Sequence, residues 1–212
     1  MLALALAACG GGSRQDVAEP SHHYAVQITS QSFPAQQTLS QHTHMVLTIK
    51  NVSGQPIPNL AVTVCNVTCA YPAPAGEGSS SGAFANNLSE NNLASPSRPV
   101  WVVDHPPGPC TGRSGYSCQS GGAGGFDTAY DNTWAAGRVA PGQSITFDWG
   151  VTAVKTGHFT VAWMVAAGLN GKAKAYVSGV AGGVPQGQFS VSIAGKPSQS
   201  YVNNAGQIVT TG

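Results

Sequence analysis

The sequence predicts an all-β fold, an antiparallel β-sandwich carrying a long disulfide-stapled loop insertion. Three observations predict it. Short runs alternate apolar and polar residues at a period of two, as half-buried strands do. Turn formers separate these runs, and no segment sustains a helical period. Charged residues make up only 8% of the chain, against about 25% in typical soluble domains. Gly numbers 27, and Ser, Thr, Asn and Gln are plentiful. A surface solvated by neutral polar groups suits turn-rich strands. It does not suit helices, whose exposed faces usually carry Glu and Lys pairs.

The strands follow in order. Tyr24-Ala-Val-Gln-Ile-Thr alternates weakly. His44 to Lys50 places Met45, Leu47 and Ile49 on one face, and Asn51-Val-Ser-Gly-Gln-Pro-Ile-Pro58 is dense in turn formers. Leu60 to Cys65 alternates again, with Leu60, Val62 and Val64 facing one way. From about residue 66 to 134 the pattern dissolves, and only Pro99-Val-Trp-Val-Val103 reads as a strand. A structureless loop of that length is rare in a compact domain and is usually functional or stapled. Any isolated helical turn is expected there. After the Pro141-Gly142 turn, Ser144 to Val151 directs Ile145, Phe147, Trp149 and Val151 to one side. His158 to Val165 directs Phe159, Val161, Trp163 and Val165 inward. Asn170-Gly171 is the strongest hairpin signal in the chain and predicts a turn joining this run to Lys172–Val177. Phe189–Ile193 and Gln207–Thr210 read as the last strands.

Length and charge bound the function. At 212 residues the chain forms one domain, or one domain with a large insertion. A net charge of +1 argues against nucleic acid, which requires clustered Lys and Arg. At the N-terminus an apolar run ends in Leu6-Ala7-Ala8-Cys9, and Gly10-Gly11-Gly12 follows. This resembles the lipobox of bacterial lipoproteins. The resemblance implies a diacylglycerol on Cys9, removal of residues 1–8, and a domain held outside the cytoplasmic membrane in the cell envelope. No Lys or Arg precedes the apolar run, so a start upstream of Met1 is expected. The run is too short to span a bilayer, which takes about 20 residues. Residues 9–21 read as a flexible lipid tether, and 22–212 as the sandwich with its insertion at about 66–134.

Cys65, Cys69, Cys110 and Cys118 remain, an even number in an oxidising compartment, which predicts two disulfides. Cys65–Cys69 and Cys110–Cys118 each close a short loop at little entropic cost. A crossed pairing and a four-thiolate zinc site are the alternatives.

Two segments carry a further resemblance. Thr48-Ile-Lys-Asn-Val-Ser-Gly-Gln-Pro-Ile is similar to the strand and Asn-x-Gly turn of bacterial immunoglobulin-like surface domains. Ala140-Pro-Gly-Gln-Ser-Ile-Thr-Phe-Asp-Trp, with Gly157-His-Phe-Thr-Val-Ala-Trp, looks like their Pro-Gly turn, strand and Gly-x-Tyr/Phe-x-Val signature. The CARDB and DUF11 repeat-like domains carry this pairing. The resemblance covers roughly residues 24–65 and 133–193. It implies an immunoglobulin-like sandwich used for adhesion, assembly or presentation, without catalytic residues or cofactor, and with an envelope or extracellular protein or glycan as partner.

The candidate chemistry is sparse. His42-Thr-His44-Met45 opens a strand, which puts both imidazoles on one face, and His22-His23 ends the tether. If the two strands pair, the four histidines gather at one edge as a copper or zinc site, with no carboxylate or Cys to complete the set. His105 and His158 stand apart from these pairs in the sequence. Ser114 sits between glycines but lacks the strand and helix of a nucleophile elbow. Glu19, Glu77 and Glu90 fall in the tether and insertion. Asp104, Asp127 and Asp131 flank loops, and Asp148 faces away from Phe147 and Trp149. A calcium loop at Asp127 and Asp131, or a hydrolase site within the insertion, has little support. Trp101, Tyr116, Phe126, Tyr130 and Trp134 border or lie in the insertion. They are read either as anchors for a partner or as the small core that folds the insertion back. Trp149 and Trp163 belong to the main core.

Overall fold

The computed structural model describes residues 16–66, 69, 83–85, 99–107, 128–130, 132–180, 182–195 and 199–211. They form an all-β sandwich, with no helix among them. The first sheet contains β1 (His22–Ser32), β3 (His42–Asn51), β5 (Phe84–Ala85), β6 (Trp101–His105), β9 (Ser144–Ala153) and β11 (Ala173–Val177). Its spatial order is β11-β1-β3-β9-β6-β5. The second contains β2 (Gln36–Thr38), β4 (Ile57–Asn66), β7 (Thr128–Tyr130), β8 (Thr133–Val139), β10 (Gly157–Ala166) and β12 (Gln186–Ala194). Its order is β2-β12-β10-β4-β8-β7. Strands β13 (Gln199–Val202) and β14 (Ile208–Thr211) pair only with each other.

The alternation read from the sequence sets the core. Met45, Leu47 and Ile49 of β3 and Phe147, Trp149 and Val151 of β9 are buried between the sheets. Trp134 meets Trp149 edge to face at 5.5 Å between centroids, and Phe147 stacks on Trp149. Strand β4 departs from simple alternation, because Ala61, Thr63 and Cys65 are buried as well as Leu60, Val62 and Val64. Its second face packs Ala61 against Ala135 and Leu169, and Thr63 shares a hydroxyl hydrogen bond with Thr133.

The two motifs that flank β3 and β9 in sequence meet in space. Asn51 is fully buried. Its Nδ2 donates to the carbonyls of Gln55 and Val139, and its Oδ1 accepts from Ser53. The Gly142 N–H donates to the Asn51 carbonyl at 2.8 Å. Buried polar groups must be paired, and this side chain pairs two turns at once.

Four expectations are corrected. The sheets are mixed, since β11 runs parallel to β1, β2 to β12 and β5 to β6. Asn170-Gly171 does not close a hairpin. Strand β10 pairs with β4 and β12, whereas β11 joins the opposite sheet. The Gly171 turn (φ +82°) therefore carries the chain across the sandwich rather than back along its own strand. Within the 66–134 insertion, the described residues pack into the sandwich core rather than forming a small core of their own. The insertion supplies β5 and β6, and its Phe84, Val100, Trp101 and Val103 are buried in the main core. Residues 16–21, finally, do not act as a tether. Glu19 is buried against the crossover loop: its carboxylate accepts N–H groups from Leu169 (2.6 Å), Asn170 (2.9 Å) and Ala173 (2.6 Å). Gly168 has no side chain, and a Cβ there would occupy the space of that carboxylate.

Candidate functional site

Candidate functional side chains collect on the outer face of the first sheet. In β3 the buried residues Thr43, Met45 and Leu47 alternate with outward-facing His42, His44 and Val46. In β9 the outward positions are Asp148, Gly150 and Thr152. The antiparallel register sets His42 opposite Thr152 and His44 opposite Gly150. From the other side, β6 sets His105 opposite Gly150.

The contacts follow this register. His42 Nδ1 lies 2.8 Å from Asp104 Oδ2, and Thr152 Oγ1 donates to the same oxygen at 2.5 Å. His44 Nδ1 lies 2.7 Å from Asp148 Oδ1. An ionised carboxylate only accepts, so in each pair Nδ1 is the donor. The two imidazoles stand 5.2 Å apart at 88°. Gly150 makes the arrangement possible, because a Cβ there would lie 2.9 Å from His105 Cβ and 3.2 Å from His42 Cε1. Beside the rings the pairing of β1 with β3 stops at Ser32 and Val46, and the chain then leaves for the other sheet. The departure leaves an open groove of about 680 Å³ lined by Gln31, Phe33, Pro34, His42, His44 and Phe189, among others.

This site differs from the one the sequence suggests. His22 and His23 begin β1 beside Ala173 and Lys174. The antiparallel register places Val26 against Asn51 and Ser32 against Val46. His22 is thus separated from the His44 end of the sheet by the length of β1, roughly 33 Å at ~3.3 Å per residue. The four histidines do not gather, because antiparallel pairing sends the two pairs to opposite ends. The carboxylates missing from the sequence reading are Asp104 and Asp148, which lie 62 and 104 residues from their imidazoles. No local spacing signals partners so remote. His158 is exposed at the start of β10.

Trp101 and Trp134 cannot serve as partner anchors, since both are buried in the main core. Trp101 Nε1–H donates to buried Gln37 Oε1 at 2.8 Å, which ties β6 of one sheet to β2 of the other. Strand β7 includes the backbone of Tyr130. Cys65 and Cys69 form the expected disulfide. Cys9, Cys110, Cys118, Ser114, Tyr116, Phe126, Asp127, Asp131, Glu77 and Glu90 lie outside the described residues. Among the described residues no helix is long and apolar enough to cross a membrane, and no three His, Cys, Asp or Glu side chains are grouped to hold a metal ion.

No family model matches the sequence, and no curated protein does. Solved structures overlap with the fold more loosely. A Salmonella α2-macroglobulin overlaps at 13% identity and a TM-score of 0.38, covering 83% of this chain and 7% of its own. The chain thus spans only a small fraction of that protein's length. A CARDB domain from Pyrococcus furiosus, in complex with di-metal ions, overlaps at 12% identity and a TM-score of 0.39, covering 82% of this chain and 94% of its own. A β-glucosidase from Listeria innocua overlaps at 13% identity and a TM-score of 0.31, covering 81% and 16%. Overlap of this extent assigns no activity, ligand or partner to the chain.

Proposed function

We propose that this chain is a lipid-anchored module of the bacterial cell envelope that works by binding rather than by catalysis. The observation that carries the location is the Cys65–Cys69 disulfide, which belongs to an oxidising compartment, alongside the lipobox-like Leu6–Cys9. The anchor would leave six residues between Cys9 and the docked Asp16, a reach of at most ~25 Å. Because Glu19 fastens the chain to the β10–β11 crossover, that end of the sandwich would face the lipid. The His42/His44 end would then face outward, at the far end of β1 and β3.

Binding is favoured over catalysis by the chemistry of the outer face. A nucleophile must hydrogen-bond the imidazole nitrogen remote from the acid. Here the hydroxyl of Thr152 bonds Asp104 itself. Tyr116 and Phe126, which lie in sequence between β6 and β7, are the aromatic residues proposed to engage an envelope protein or glycan.

Membrane fractionation in the native host tests the location. The wild-type chain should sediment with membranes carrying a diacylglyceryl mass on Cys9, and Cys9→Ala should move to the soluble fraction. An unmodified Cys9 in protein from that host would overturn the proposal. Crosslinking from intact envelopes tests the binding role, with Tyr116→Ala/Phe126→Ala expected to lose the captured partner.

A further inference from the structure

Two Asp–His pairs side by side on one sheet face are more than a solvated surface needs. Exposed ion pairs contribute little to stability, with a median of about 0–1 kcal/mol. Neither pair here is a lone surface contact. Each carboxylate holds the Nδ1 side of an imidazole, and the two imidazoles are neighbours at 5.2 Å. We infer that His42 and His44 form a two-histidine chelate for a divalent transition metal, with Asp104 and Asp148 as the positioning residues behind them.

A period of two sends residues 42 and 44 to the same face, one above the other. The carboxylates fix the tautomer that carries its lone pair on Nε2, which is the form a metal ion takes as ligand. Metal-ligating imidazoles characteristically donate their other N–H to a carboxylate, and this both orients the ring and raises its basicity. The Thr152 hydroxyl in turn fixes Asp104, so the His42 ring is held by a chain of two hydrogen bonds. Gly150 clears the floor under that ring. Imidazole nitrogen suits copper, nickel and zinc, and Cu²⁺ binds tightest of these divalent ions at a given nitrogen site.

The donor set also defines the kind of site. Among the described residues no third His, Cys, Asp or Glu is grouped with this pair to complete a cage. Among the described residues, the coordination positions beyond the two nitrogens are therefore left to water or to a donor from another molecule. Such a site is open, in the manner of centres that exchange ligands rather than those that hold a fold together. The adjacent groove gives an incoming donor room to approach.

Cu²⁺ titration of the full chain carrying His22→Ala/His23→Ala, followed by calorimetry and electron paramagnetic resonance, tests the inference. That background removes the competing histidine pair at the other end of β1. The expected result is one saturable equivalent whose spectrum shows two imidazole nitrogens. His42→Ala or His44→Ala should abolish that equivalent. Asp104→Asn/Asp148→Asn should keep the two-nitrogen spectrum while weakening affinity about 10- to 100-fold per pair. Three results would overturn the inference. One is a spectrum with fewer than two imidazole nitrogens. Another is unchanged affinity in the His42→Ala and His44→Ala chains. The last is copper uptake that appears only when His22 and His23 are restored. The spectrum of the background protein decides the matter even if a histidine variant fails to fold.

Discussion

Glu19 shows how much one side chain decides here. Its buried carboxylate collects three backbone N–H groups from the loop that carries the chain between the sheets. Hydrogen bonds to a charged group are worth about 1.5–3 kcal/mol each in net stability, and replacing the acceptor by a donor is worse than losing it. Glu19→Gln turns an amide NH₂ toward those same donors. We expect it to lower unfolding stability by about 2 kcal/mol in urea with an unchanged slope. A variant as stable as wild type would show that the N-terminal segment does not fasten the crossover. In the sequence Glu19 reads as one charge in a Gly/Ser/Pro-rich lead-in, because its partners lie 150 residues and more away. His42 and His44 were legible as a same-face pair, since strand periodicity is local. Their carboxylates were not, because only the register of β3, β9 and β6 brings them within reach.

At the scale of elements, the sandwich depends on ties between sheets as much as on pairing within them. Consecutive strands rarely pair: β1 leads to β2 in the other sheet, β3 to β4, and β9 to β10. The buried Trp101–Gln37 hydrogen bond spans the gap between β6 and β2. Trp101→Phe removes the indole N–H and leaves the Gln37 carbonyl buried without that donor. Thermal and urea unfolding should register a loss of about 1–3 kcal/mol, combining the unsatisfied acceptor with the vacated ring volume. Full stability in Trp101→Phe, or equal loss with and without Gln37→Leu, would count against this tie. The strands of β1, β3, β4, β6, β9, β10 and β12 were legible from alternation. Strand β8 was not, because Ala135, Ala136 and Gly137 carry too little contrast to show a period. Strands β2 and β5 are too short to show one.

At the scale of the whole molecule, the C-terminal hairpin stands apart. Strands β13 and β14 hydrogen-bond only to each other, and Tyr201, Val202 and Ile208 are exposed. Removing residues 196–212 should leave the sandwich melting temperature within about 2 °C of the full chain, since that hairpin shares no ladder with either sheet. A large drop would mean that it packs as part of the core. The sequence by itself determined the class of fold, the inward faces of the long strands and the short Cys65–Cys69 closure. Each depends on neighbours a few residues apart, where periodicity and loop length are sufficient. Tertiary structure alone decided which strands pair, where the 66–134 stretch threads the first sheet, and which acids meet which imidazoles. Those outcomes depend on register between strands tens of residues apart, set by the fit of one buried face against another.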